Sequence, residues 1–210
     1  MAIDIGGATT DVYSIADGTP KSDNVIYKGI PEPFAKRTVE GDIGMRYTAD
    51  GIVNAAGALY AASLAGLRES QVCEYVSILK NNAEYLPKND LEKTLDFVLA
   101  ALAGEIAAMR HAGSLEEVYT AHGKAYIQSG KDLTKVGKIV MTGGALLHAG
   151  RKPELAKYVM FSETHPESLR PKQADCLCDD NYIIAAMGLL GRDFPLSALR
   201  LMKSHLKPVF

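Results

Sequence analysis

Asp4 and Asp11 bracket the run Ile5-Gly6-Gly7-Ala8-Thr9-Thr10. Glycines let backbone N–H groups close on an anion with no Cβ in the way. Thr9 and Thr10 add hydroxyls. Two carboxylates repel a bare phosphate, but they suit Mg²⁺, or a water on Mg²⁺, held beside one. The string therefore reads as a turn that takes a nucleoside triphosphate tail with its metal. An ordinary glycine hairpin with solvated acids is the bland alternative, and Gly-Gly alone would favour it. The acids and hydroxyls around the glycines tip the reading toward phosphate.

Two short strands must hold this turn. Met1 to Ile5 reads as one and the β-branched, aromatic stretch Thr10 to Ile15 as the other, which makes a hairpin. Asn24 to Ile30 reads as a third strand, so residues 1–30 are expected to form an antiparallel meander. A second glycine pair follows the clear buried strand Lys138 to Thr142. Gly143-Gly144 would let a flat ring lie against the backbone, and Pro153 with Glu154 then opens a helix.

Between these constellations the pattern is mostly helical. Arg37 to Arg46 reads as a glycine-punctuated loop entering a helix. Its Glu40 and Asp42 could reach a metal or water, and its Arg37 or Arg46 a phosphate, against the favoured reading of a solvated connector. Residues 48–69 suit a closely packed helix, and Ser70 caps another through Lys80. Asp90 to His111 carries an apolar stripe at helical spacing that reads as core, with Gly113 as its stop. Arg110 and His111 near its end could contact a purine or phosphate, or simply sit at the negative end of the helix dipole.

Ser114 to Thr120 reads as a short helix with Glu117 completing a capping box. Lys124 to Gln128 reads as a weak strand, and Lys131 to Thr134 as a turn or short helix. Asp179 to Leu190 reads as an acid-started helix with a small-residue face at Ala185 and Gly188. Pro195 opens a last amphipathic helix toward His205.

The 210 residues are 47% hydrophobic and 23% charged, which suits a real core in one domain or two subdomains. A net charge of −2 implies no broad basic surface for nucleic acid. No apolar run has transmembrane length, and no basic region precedes an apolar start, so a soluble cytoplasmic protein is expected. Cys73, Cys176 and Cys178 are too few for a disulfide framework. Cys176-Leu-Cys178, even with His165 nearby, reads as idle thiols in preference to zinc ligands. P-loop, dinucleotide, nucleophile-elbow and zinc-protease motifs are all absent.

The order of hairpin, helical insertion, Ile-Val-Met-Thr-Gly-Gly-Ala and Ala-Ala-Met-Gly helix resembles the second half of the actin, Hsp70 and sugar-kinase ATPase fold. That is a ribonuclease H-like α/β architecture. Arg37-Thr-Val-Glu-Gly-Asp-Ile-Gly-Met-Arg46, Arg110-His-Ala-Gly113, Gly130-Lys-Asp-Leu133 and Asn181-Tyr-Ile-Ile-Ala-Ala-Met-Gly188 resemble the MutL proteins of the glutamate mutase system. Those are reactivating-factor relatives that accompany adenosylcobalamin-dependent mutases.

The resemblance implies ATP or ADP with Mg²⁺, and mutase subunits as partners. It implies Asp4 and Thr9 as catalytic candidates, with Asp4 near Mg²⁺ and the attacking water. Gly6, Gly7, Thr9 and Thr10 would cradle the β- and γ-phosphates, and Asp11 would support the hairpin or the metal's water shell. Gly143, Gly144 and Ala145 would border adenine and ribose, while Glu105 and Arg110 close over the purine. Residues 1–50 and 115–210 would form the nucleotide lobe and 51–114 a mainly helical inserted subdomain.

The family's first phosphate motif is absent, and the missing N-terminal lobe would carry it. This chain is thus expected to be a fragment that binds nucleotide and hydrolyses it poorly alone, because hydrolysis by positioning needs both walls of the cleft. A small-molecule kinase on the same fold, or a non-catalytic interaction module, are the alternatives.

Overall fold

Six strands form the main sheet. The computed structural model describes residues 1–121, 123–147 and 151–209. β1 (Ala2–Ile5) and β2 (Thr10–Ile15) form the expected hairpin, with Asp4 opposite Asp11 and Ile5 opposite Thr10. β4 (Ala35–Glu40) extends it antiparallel on the outer side of β2. On the other side β7 (Lys138–Thr142) and β8 (Asp175–Cys178) run parallel to β1, and β9 (Lys207–Pro208) closes the edge. The order is β4-β2-β1-β7-β8-β9.

Three expectations about strands are corrected. The third strand, β3 (Val25–Lys28), does not continue the meander: it pairs parallel with β6 (Gly123–Ser129), which with β5 (Ser114–Thr120) makes a separate sheet, β3-β6-β5. The first part of the segment read as a loop, Arg37 to Glu40 of the Arg37–Arg46 stretch, lies instead in β4 and takes the place beside β2. β4 wins there with six rungs against the four residues of β3, and it brings Arg37 diagonally across from Asp11. Likewise β5 (Ser114–Thr120) is a strand and not a helix, paired along its length with β6. The capping-box signal was local and weak. Val118, Tyr119 and Thr120 prefer a pleated surface, and the adjacent hairpin supplies the partner.

The helices are α1 (Ala49–Ala56), α2 (Ala58–Ala65), α3 (Glu69–Asn81) and α4 (Asp90–His111). Shorter ones follow: α5 (Gly144–Leu147), α6 (Lys152–Val159), α7 (Ile184–Leu190) and α8 (Pro195–His205). The alanine-rich stretch is cut in two where Gly57 takes φ of +92°. α4 has the expected bounds, with Asn89 accepting the Glu92 N–H as its cap.

Alternation along β1 puts Ile3 and Ile5 on one face and Asp4 on the other. α4 packs on the Ile3/Ile5 face. A Cβ on Gly104 would lie 3.3 Å from Ile5 and 3.2 Å from Val159, so the missing side chain lets α4 fit between sheet and α6. One apolar cluster runs from Ile3 and Ile5 through Leu99 and Leu102 to Val72 and Leu79 of α3. Sheet and helical segment thus share a core.

The helix expected from Asp179 begins only at Ile184. The Asp179 carboxylate accepts the N–H groups of Ile183 (3.0 Å) and Ile184 (3.0 Å), and Tyr182 is left-handed at φ of +52°. α7 buries none of its residues, and Leu189, Phe194 and Leu196 around the α7–α8 turn are exposed. Cys176 and Cys178 are buried on β8, where burial pushes the Cys178 thiol up to about 12, while Cys73 is exposed. No helix among the described residues is long and apolar enough to cross a membrane.

Candidate functional site

β1, β7 and β8 are parallel, and their carboxyl ends lie side by side. The chain leaves them through Gly6-Gly7, Gly143-Gly144 and Asp179-Asp180 respectively. The carboxyl edge of parallel strands is where open α/β sheets collect ligands.

The Gly6–Thr9 turn is clamped from behind. Gly6 N–H donates to Thr9 O (3.0 Å). Gly6 O accepts from Met45 N (3.0 Å), Gly7 O from Arg46 N (2.8 Å) and Tyr47 N (3.0 Å), and Ala8 O from the Thr48 hydroxyl (3.1 Å). This contact needs Gly44, where a Cβ would fall 2.3 Å from Ala8 O. With its carbonyls engaged, the turn presents N–H groups. Those of Gly7, Ala8 and Thr9 have no partner among the described residues. Unpaired N–H groups in a tight turn are an anion cradle.

The two acids differ sharply. Asp11 accepts from Arg37 Nε (3.1 Å), Arg37 Nη2 (2.8 Å) and the Thr9 hydroxyl (2.9 Å). Asp4 accepts no hydrogen bond among the described residues, and its Oδ1 is buried. Burial, then Asp11, then Asp179 raise its pKa. A desolvated carboxylate without a donor calls for a proton or a cation.

Gly143 forms the roof over Asp4. It is left-handed at φ of +115°, and a Cβ there would lie 2.4 Å from Ile5 O and 2.7 Å from Asp4 Oδ1. Gly144 and Ala145 face a cavity of about 510 Å³ that Gly7 also lines, walled by Met45, Leu86 and Pro87 with Lys93. The two glycine turns therefore meet in one space. Its polar wall is fixed: Arg46 donates to both oxygens of Asp96 (3.0 and 3.1 Å), and the Tyr75 hydroxyl donates to the same carboxylate (3.0 Å). A second cavity, of about 490 Å³, lies away from both acids, beside Gly18, Lys135 and Lys138.

Several residues singled out from the sequence stand apart from this cluster. Thr10 is fully buried on the face opposite Asp4 and Asp11, so its hydroxyl points into the core. Glu105 lies on α4, across the sheet from Asp4. It is buried with its Oε1 3.7 Å from Nη1 of the fully buried Arg170. Arg110 is held by Glu40 (2.7 Å) and Asp42 (2.8 Å), which occupies all three groups. Arg37 and Arg46 are likewise engaged by acids. No group of three His, Cys, Asp or Glu side chains converges to hold a metal among the described residues.

Two residues not singled out complete the carboxyl edge. Asp179 is buried and accepts from the Thr142 hydroxyl (3.1 Å) besides capping α7. Tyr182 follows it. Their signals in the sequence were an acid at the start of an apolar helix and, for Tyr182, a place in the Asn181–Gly188 stretch of the family resemblance, neither of which marks a site.

The family model described as "MutL protein" matches residues 1–206. The curated "Protein MutL" of Clostridium tetanomorphum is 40% identical over 212 residues, covering 100% of this chain and 45% of the relative. The chain thus spans about half the length of the curated relative it matches. No solved structure matches it. On both grounds, a family match along nearly its whole length and a close relative that covers all of it, the chain belongs to the MutL protein family.

Proposed function

We propose that this chain is the ATP- and ADP-binding lobe of an ATPase chaperone that reactivates an adenosylcobalamin-dependent mutase of the glutamate mutase type. The proposed fold is that of the second lobe of the actin, Hsp70 and sugar-kinase ATPases. Support for it comes from three antiparallel strands continued by two parallel ones, with glycine turns leaving β1 and β7.

The observation that carries the nucleotide reading is the meeting of those two turns in one cavity. The free N–H groups of Gly7, Ala8 and Thr9 bind the phosphates there, with the Thr9 hydroxyl beside them. Gly144 and Ala145 border the base, and Met45, Leu86 and Pro87 supply its apolar wall. Thr10, Glu105 and Arg110 take no part, because each is buried or paired elsewhere.

Mg²⁺ fits as a nucleotide-borne ion. It is commonly held by one or two carboxylates plus phosphates and waters, and Asp4 is the carboxylate without a donor. When bound it neutralises phosphate charge. Asp11 is already satisfied by Arg37, so it holds the hairpin and stiffens the turn. With a single free acid at the site, this lobe binds nucleotide and hydrolyses it poorly. The rest of the cleft belongs to the part of the relatives outside this chain.

Calorimetric titration of Mg·ATP and Mg·ADP into the chain tests this, with Asp4→Ala and Gly144→Val alongside. Binding that both variants lose supports the site. A folded wild-type chain that binds neither nucleotide, in a longer protein that also binds neither, sinks it. The chaperone role rests on a second assay: the longer protein must restore an inactivated mutase in the presence of ATP.

A further inference from the structure

Lys93 and Asp96 stand three residues apart on α4, and both line the cavity that Gly7 and Gly144 share. That spacing puts them on one face of the helix. Among the described residues the cavity is lined by three charged side chains, Arg46, Asp96 and Lys93. Two of them answer each other. Arg46 donates to both oxygens of Asp96, both side chains are mostly buried, and the Tyr75 hydroxyl donates to the same carboxylate. Lys93 is the charge left over.

Lys93 is held loosely. Its ion-pair partner among the described residues is Asp90, at 3.1 Å, and the two side chains are 63% and 99% exposed. Asp90 does not line the cavity. An ion pair this exposed contributes little and breaks readily. Arg46 cannot turn to a ligand without stranding Asp96, whereas Lys93 can leave Asp90 to water.

The phosphate turn lacks a cation of its own. It offers N–H groups that carry no full charge, and Asp4 and Asp11 stand beside it. Lys93 brings the missing charge from the helical wall of the same cavity. α4 then grips the turn from two directions. From behind, Arg46 links Asp96 to Gly7, because the Arg46 N–H donates to Gly7 O (2.8 Å). From the cavity, Lys93 reaches whatever anion the turn holds.

We propose that Lys93 is a nucleotide-binding residue, whose ammonium leaves Asp90 and pairs with a phosphate oxygen of the nucleotide in this cavity. This rests on the nucleotide reading above and deepens it: it names the cation that the site brings to the phosphates. A nucleoside without phosphate gains nothing from it.

The test titrates adenosine, Mg·ADP and Mg·ATP into the longest available form of the protein, as wild type, Lys93→Met, Asp90→Asn and the double variant. Lys93→Met keeps the stem and removes the charge. It should weaken both nucleotides by about tenfold, the loss of one bond to a charged oxygen, and leave adenosine within about twofold. Asp90→Asn frees the ammonium and should tighten both nucleotides by about twofold, a gain that vanishes in the double variant because it acts through Lys93. The thermal midpoint of Lys93→Met should stay within about 2 °C of wild type, since the pair it breaks is exposed.

Unchanged nucleotide affinities in Lys93→Met make the residue a solvated surface charge and overturn the proposal. An equal loss of adenosine overturns it too, as does a gain in Asp90→Asn that survives in the double variant. Where adenosine binds too weakly to measure, the double variant decides. A wild-type protein that binds neither nucleotide overturns the site itself, so the two failures are told apart by the wild-type control.

Discussion

Asp4 and Asp11 face each other directly across the β1–β2 ladder, yet only Asp11 has donors. Like charges placed opposite one another on a sheet are destabilising, and each answer to that cost is a different kind of residue. Arg37 and Thr9 settle Asp11 permanently. Asp4 is left to be settled by something from outside.

Asp4→Asn should therefore stabilise the ligand-free fold. The folded-state pKa of Asp4 is raised, so its contribution is fully present below the ordinary carboxylate pKa and is lost as pH rises through the folded value. At pH 7 without nucleotide, the variant's thermal midpoint should exceed the wild type's by about 2–4 °C. The gap should close as pH falls toward 4. Calorimetry at several pH values measures it; a variant less stable than wild type at pH 7 contradicts the argument.

Arg37→Ala should cost stability through the acid it abandons. Arg37 is largely exposed, which screens the pair, so the loss is small. In a double-mutant cycle with Asp11→Asn the two losses should not add, because one interaction is removed twice. Urea melts of the four proteins give the coupling.

Gly143 and Gly144 are adjacent but unequal. Gly143→Ala combines positive φ with a Cβ set against Ile5 and Asp4, and should cost more than about 2 kcal/mol. A Cβ on Gly144 meets nothing within 4 Å, so Gly144→Ala should leave stability within about 0.5 kcal/mol. Equal effects in denaturant melts would mean the turn is misplaced.

His111 should make the fold acid-sensitive. It is fully buried between the Thr38 hydroxyl (2.9 Å) and the Ser14 hydroxyl (2.8 Å), and burial with Lys36 and Lys131 lowers its pKa to about 4. A depressed histidine contributes stability that is complete above its ordinary value of 6.5 and is lost as pH falls through about 4. The full loss is about 2–5 kcal/mol. His111→Gln should flatten the stability profile over that window. A wild-type profile that is already flat there would refute it.

Much of this was readable one residue at a time. Asp4, the Gly6-Gly7 turn, the Lys138–Thr142 strand and the 22-residue α4 follow from local spacing, and each is where the pattern put it. What failed was pairing. The place of β4 beside β2 depends on a competition between two candidate edge strands, and β5 became a strand because β6 was there to receive it. Single-strand signals do not rank such partners.

The site shows the same division. Glu105 and Arg110 carry the right chemistry, but Arg170, Glu40 and Asp42 claim them from distant parts of the chain. Asp179 and Tyr182 looked like an ordinary helix start. Their place at the same carboxyl edge as Asp4 exists only once β7 and β8 lie parallel to β1.

The clamp on the Gly6–Ala8 carbonyls bears on speed as well as on strength. A turn already fixed from behind is a socket and not a flap, and capture at it spends little on ordering. Association should run in one fast phase without a slow closing step. In deuterium the amides of residues 45–47 should exchange slowly, while those of Gly7, Ala8 and Thr9 exchange freely until an anion covers them.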